Sequence, residues 1–467
     1  MILNIDELVQ SYKDEMITLL SELVRIKSVY DEPRAGRPFG NGVYEALQYM
    51  LNAGRRLGFE AKDVDGYAGH LQYGDGDHPF GILVHLDVVP EGDGWTKPPF
   101  EATMEDGAIY GRGTSDDKGP AVAALFAMRA IKEAGVKLVR PVRLVLGCNE
   151  ENDWKCVEYY ARHEHMPEEG FAPDAMYPVV NREKGLLSLA LSAEFASLAS
   201  DEITLESITG GSRVNMVPGS CRCIIKASAD KQGFIRESLS KFPYKDEFSM
   251  SLSIDQRGGG CIIESHGRMA HGSHPEEGKN AIAAMLLFLK QAGIANPFIA
   301  FIGDAIGMDY SGNGLGIKIS DELSGPLTLN LGLINGSQNS GRADIDIRYP
   351  ITVRLNDILS AIRAKAEPEG IGVKILNHKE PHYVPEDLPL VQKLLKAYSD
   401  VTGQKGYTLS MGGATYARAM AKGVAFGAVF PGGPDMAHQA DEHIMLDDLV
   451  KNALVYAHAI CEMCAGR

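Results

Sequence analysis

Over roughly the first 180 residues, short apolar runs alternate with longer stretches of helical periodicity, the pattern of an α/β sheet covered by helices. GILVHLDVVP reads as a buried strand running into a Pro-Gly-rich loop, and PAVAALFAMRAIKEAG as a helix with Pro120 near its first turn and Gly135 at its end. RPVRLVLGCNEEN repeats the strand pattern and again runs out into polar residues. Continuous apolar strands of this kind predict a mostly parallel sheet. The first twenty residues, MILNIDELVQSYKDEMITLL, carry acidic residues throughout and predict one amphipathic helix rather than a cleavable leader.

From 185 to 381 the texture changes. Alternating segments (SLALSAEF, CRCIIKASA, LTLNLGL, ADIDIRYP) are interleaved with helices such as NAIAAMLLFLKQAG, the mark of an α+β insertion. The helical DLPLVQKLLKAYSDVTG and the apolar VAFGAVFPGG then resume the opening style. The expected organisation is an α/β domain in two parts, 1–184 and 382–467, interrupted by an inserted domain over 185–381.

With 467 residues the chain exceeds a typical single core, in keeping with that division. A net charge of −16 offers no general attraction to phosphate backbones or anionic membranes, so neither nucleic acid nor a membrane is expected as a partner. Seven scattered cysteines, in a chain large enough to need no disulfide staples, point to the cytoplasm. Cys461 and Cys464 form a lone CxxC, read as two thiols on a terminal helix.

The candidate chemistry sits where the predicted strands end. His85 and Asp87 stand two apart on one face of a strand terminus; one can bind a metal while the other supports it, or the two can be a structural pair. GRGTSDDKGP sets Asp116 and Asp117 in a turn before a helix, where one could be an N-cap and where two adjacent carboxylates repel unless cations offset them. Glu150 and Glu151 in GCNEEND could form a surface acidic turn or could divide labour, one ligating a metal and the other moving a proton. Asp174 and His438 complete a set too large for coincidence. Mixed imidazole and carboxylate donors suit zinc, manganese or cobalt, and a shared carboxylate can hold two ions about 3.5–4 Å apart.

At these residues the sequence resembles the zinc-dependent exopeptidases that include carboxypeptidase G, acetylornithine deacetylase and succinyl-diaminopimelate desuccinylase, and within them the peptidase V, or Xaa-His dipeptidase, group. The likeness is carried by HLDVVPEGDGW, YGRGTSDDKGP, the Glu pair, WKCVEYY, FAPDAMYPVVNREKG, NMVPG, AHGSHPEEGKNA, DIDIRYP, GGATYARA and AHQADE, which span nearly the whole chain in order.

The resemblance implies two divalent ions per chain, zinc first among the three metals, with Asp116 bridging them, His85 and Asp174 completing one and Glu151 and His438 the other. It implies Glu150 as general base, Asp87 as support for His85, and a cis peptide after Asp116. The insertion corresponds to the family's lid at about double size, implying a monomer. In that lid Asn215 and His271 reach the substrate, His271 polarises the scissile carbonyl, and Arg348 and Arg418 hold a free carboxylate that Gly412 and Gly413 allow the backbone to approach. His266 and His274 lie outside the motif and read as ordinary polar residues, and Arg348 can also be read as paired with Asp346. The expected activity is hydrolysis of unblocked dipeptides; an N-acyl-amino-acid deacylase on the same metal site and a catalytically silent metal-binding protein are the rival readings.

Overall fold

The apolar run ahead of His85 forms the strand Phe80–His85, all of whose residues are buried, as a strand covered on both faces must be. The computed structural model describes residues 4–195, 203–255, 260–294 and 296–466. Its chain divides into two units: Met1–Asn181, Val384–Leu409 and Ala414–Arg467 form unit 1, and Arg182–Tyr383 with Ser410–Gly413 form unit 2.

In unit 1 the strands are β1 (Glu60–Val64), β2 (Ala68–Tyr73), β3 (Phe80–His85), β4 (Val142–Gly147), β5 (Glu169–Ala172) and β6, which begins at Val179. They are ordered β1-β2-β4-β3-β5, followed by the strand Lys422–Ala425 and then β6. The centre is parallel: β3 pairs β4 with His85 opposite Gly147, β3 pairs β5 with Ile82 opposite Phe171, and β5 pairs Lys422–Ala425. Antiparallel strands flank it, β1 and β2 at one edge and β6 at the other. All the parallel strands therefore end at the same edge of the sheet, the edge where α/β folds carry their chemistry.

The predicted N-terminal helix is two helices, α1 (Ile5–Ser11) and α2 (Lys13–Arg25); its first three residues lie outside the described ones. The break is at Tyr12, whose φ of −87° and ψ of 1° leave the helical region. Tertiary contacts hold it there: the ring packs on Phe126 and the hydroxyl donates to Glu133 Oε2 at 2.6 Å. After α3 (Asn41–Arg56), helix α4 (Lys118–Glu133) runs back along the sheet and packs against Leu446–Cys464 and α2. α4 ends as the sequence predicts, with Gly135 in the left-handed region at φ 69°.

Unit 2 is an antiparallel sheet packed with helices. Its strands are β7 (Gly185–Glu194), β8 (Ile203–Gly210), β9 (Ser220–Ala227), β10 (Ser251–Asp255), β11 (Gly260–His266), β12 (Thr328–Ser337), β13 (Ser340–Tyr349) and β14 (Gly372–Lys379). They lie in the order β10-β11-β9-β8-β12-β13-β7-β14. Leu187, Leu189 and Leu191 of β7 and Ile345 and Ile347 of β13 enter a core shared with α5 (Ala281–Gln291), whose Ile282, Met285 and Leu289 are fully buried.

Candidate metal centre

Each parallel strand of unit 1 delivers a donor where it ends. His85 is the last residue of β3; Glu150 and Glu151 follow β4, Asp174 follows β5, and His438 lies in the loop beyond the short strand Ala428–Val429 that succeeds Lys422–Ala425. Asp116 is in the turn that opens α4. Ligand atoms of His85, Asp116 and Glu151 all lie within 4.8 Å of one another, as do those of His85, Glu150 and Asp174.

Asp116 stands between the two imidazoles and turns one oxygen toward each. His85 Nε2 is 2.8 Å from Asp116 Oδ1 and 3.9 Å from Asp174 Oδ2. His438 Nε2 is 3.1 Å from Asp116 Oδ2 and 2.9 Å from Glu151 Oε1. The Asp116–Asp117 peptide bond is cis.

The local framework orients these groups. His85 Nδ1 donates to the main-chain oxygen of Asp87 at 2.9 Å, a partner that only an Nδ1–H can satisfy, which leaves Nε2 to face the carboxylates. Nε2 is buried 2.8 Å from Asp116 Oδ1, and an imidazole nitrogen so placed among carboxylates, with the other ring nitrogen tied to a carbonyl, is the disposition of a metal ligand. The Asp87 carboxylate lies 3.7 Å from the ring and instead accepts the main-chain N–H groups of Glu150 at 3.0 Å and Glu151 at 3.1 Å. Asp87 thus supports His85 through its carbonyl and the glutamate pair through its side chain. Asp117 Oδ2 accepts the N–H of His85 at 3.1 Å.

The electrostatics of the cluster favour added positive charge. Burial opposes ionisation of Asp116, yet His438 and His85 beside it hold its carboxyl far below the usual carboxylate range. Burial, reinforced by the Asp116 charge, drives Asp174 well up. Against their own burial, His85 is raised by Asp116, and His438 is raised by Glu151 and Asp116. A polypeptide that crowds four carboxylates around two imidazoles in a buried setting fits divalent cations, which offset that repulsion.

Sequence reasoning passed over Glu442. It is fully buried, and its Oε1 accepts the N–H groups of Gly113 at 3.0 Å, Ser115 at 2.9 Å and Asp116 at 3.1 Å, while Oε2 meets Arg112 Nη1 at 2.6 Å. Burial pushes Glu442 up to about 7 against the pull of Arg112. This carboxylate folds the turn that presents Asp116. The available signal was its place four residues after His438 in AHQADE. Tyr416 was also missed: its ring sits edge-on to His85 at 6.2 Å. Gly147 makes room for it, since a Cβ there would lie 2.3 Å from Tyr416 Cε2.

The remaining candidates, apart from Arg418, fall in unit 2 and form one patch. Gly272 N–H donates to Asn215 O at 2.7 Å. His271 Nδ1 lies 2.6 Å from Ser273 Oγ and accepts the Ser273 N–H at 3.3 Å, which leaves the ring proton on Nε2. Arg348 is buried, with Nε on Asp346 Oδ2 at 2.8 Å and Nη1 on the carbonyl of Gly412 at 2.9 Å. Gly412 is pressed against Ser273: a Cβ there would lie 2.9 Å from the serine Cβ. Gly413 borders Met411. Arg418 belongs to unit 1, in the short 3₁₀ turn Tyr416–Ala419. His266 ends β11 and His274 is exposed beside Glu276.

The profile of peptidase family M20/M25/M40 matches residues 81–462, a span that holds every donor described above. The chain belongs to this family. It is therefore a peptidase, a hydrolase, and M20 peptidases are metal-dependent. The M20 chain is 40% identical over 464 residues to "Putative dipeptidase YtjP" of Bacillus subtilis, covering 97% of each. It is 36% identical over 470 residues to the Beta-Ala-Xaa dipeptidase of Lactobacillus delbrueckii subsp. lactis, covering 99% of this chain and 98% of that one. In fold it is similar to human carnosine dipeptidase 1, with a TM-score of 0.61, 14% identity and 98% of each chain covered. Among the described residues no helix is long and apolar enough to cross a membrane.

Proposed function

We propose that this M20 peptidase is a dipeptidase acting on unblocked dipeptides with two divalent ions. The observation that carries the reading is Asp116, with one carboxylate oxygen turned to His85 and the other to His438. A carboxylate so placed suits shared use by two ions. His85 and Asp174 would complete one, Glu151 and His438 the other; zinc, manganese and cobalt all suit the donors. The Beta-Ala-Xaa dipeptidase, similar over almost the full length, supports the substrate class.

When bound, such ions supply Lewis acidity, polarising a carbonyl and lowering the pKa of water toward neutrality. Glu150 takes the proton of the attacking water and returns it to the leaving amine. Its placement is set by Asp87, which holds the Glu150 main chain. His271, with its proton on Nε2, donates to the carbonyl oxygen as negative charge develops there, a contribution of about 3 kcal/mol for one well-placed donor. Asn215 is tied to the same turn. Arg348, its guanidinium held by Asp346 and Gly412, receives the substrate's free carboxylate, together with Arg418 and the Gly412–Gly413 backbone. Seven free thiols accord with a cytoplasmic location, and a large insertion within one chain with a monomer.

The test is a panel of free dipeptides such as Ala-Ala against N-acetyl and N-succinyl amino acids, run on metal-stripped protein refilled with each ion. Cleavage of free dipeptides that disappears with chelator is the expected result. A preference for acylated amino acids makes the protein a deacylase, and turnover that survives stripping removes the metal reading.

A further inference from the structure

At the opposite end of β3 from His85, a second group of donors converges. His78 precedes β3, while His165 and Glu168 precede β5, and ligand atoms of all three lie within 4.8 Å of one another. The two imidazole rings meet edge to face with centroids 5.8 Å apart. At about 3.3 Å per residue, the length of β3 puts this group roughly 20 Å from His85, too far to share an ion with the candidate catalytic donors.

The backbone that carries the three side chains is anchored independently of them. Phe80 N–H donates to Pro141 O at 2.8 Å, and Arg140 Nη2 reaches Pro79 O at 3.3 Å. Arg143 Nη1 holds His165 O at 2.9 Å, and Lys422 N–H holds Glu168 O at 2.8 Å. Pro79 follows His78, and a proline narrows the backbone freedom of the residue before it. Little ordering remains beyond three side-chain rotamers, the condition under which a surface donor set binds an ion.

We propose that His78, His165 and Glu168 form a separate binding site for one divalent transition ion. Two imidazoles and one carboxylate select zinc-class ions over magnesium or calcium, which prefer all-oxygen shells; water fills the positions the protein leaves open. Such an ion would tie the loop entering β3 to the loop entering β5 and so brace the sheet edge that faces away from the catalytic donors. The proposal does not depend on the dipeptidase reading.

The experiment compares full-length wild type with His165→Ala and Glu168→Gln after equilibrium dialysis at fixed free zinc, with metal counted by mass spectrometry and hydrolysis assayed in parallel. All three side chains are exposed, so both variants should keep the wild-type circular dichroism. The expected result is one zinc equivalent fewer in each variant, unchanged turnover, and no difference when magnesium replaces zinc. Equal zinc content in wild type and variants overturns the proposal. So does a lost equivalent accompanied by lost turnover, since the ion would then belong to the catalytic donors.

Discussion

At the scale of single residues, the candidate donors stand out because each sits in a local pattern: an apolar strand that breaks off at His85, at Glu150 and Glu151, or at Asp174. What those patterns hide is the division of labour between main chain and side chain. Asp87 serves His85 through its carbonyl and the glutamates through its carboxylate, a distinction with no counterpart in spacing. Glu442 was easy to pass over for a related reason: apart from its place after His438 it is one acid in an acid-rich loop, and its partners lie more than 320 residues away. Two predictions belong here. Glu150→Gln should lower turnover about 10²–10⁴-fold while bound metal, counted in the same preparation, stays at the wild-type level; loss of metal together with activity would make Glu150 a ligand instead. Glu442→Ala leaves the Arg112 guanidinium buried without its partner and should cost about 3–5 kcal/mol in urea unfolding. A change under about 1 kcal/mol would mean the turn at Asp116 holds itself.

At the scale of elements, continuous apolar runs identified β3 and β4 because strands covered on both faces leave no other pattern, and Gly135 marked the end of α4. The break between α1 and α2 did not show, since the periodicity runs through Tyr12 and the contacts that interrupt it, Phe126 and Glu133, come from α4. β2 carries a testable charge effect of its own. His70 is buried and hydrogen-bonded through Nδ1 to the Tyr160 hydroxyl at 2.9 Å. Burial, with Arg143 and Lys62 nearby, lowers its pKa from 6.5 to about 3. The unfolded chain therefore takes up a proton below pH 6.5 that the folded chain refuses, and stability falls as pH drops, by at most about 1.4 kcal/mol per unit. His70→Gln removes this term. Unfolding free energies at pH 7.5 and 5.5 should fall less for the variant than for wild type, and parallel losses would show that His70 does not drive the acid sensitivity.

For the whole molecule, the alternation of segments announced an α/β sheet and a strand-rich α+β region, but not which strands become neighbours. In unit 2, β7 lies between β13 and β14, partners from the far end of the insertion, and pairing over such distances leaves no local trace. Repulsion among the clustered carboxylates bears on stability as a whole: chelation should lower the melting temperature by several degrees, and restoring the metal should recover it. A melting temperature indifferent to chelator would mean the cluster needs no cation to fold.

One feature also governs how the protein comes into being. The donors run from His85 to His438, and the strand leading to His438 pairs with β5 between elements made some 250 residues earlier. During synthesis, the segments that carry His85 and the carboxylates leave the ribosome with one imidazole still to come, and all of unit 2 emerges before it arrives. On the two-ion reading proposed above, a chain cut short anywhere before His438 lacks a complete donor set, and an abandoned fragment is born without the means to cut peptides.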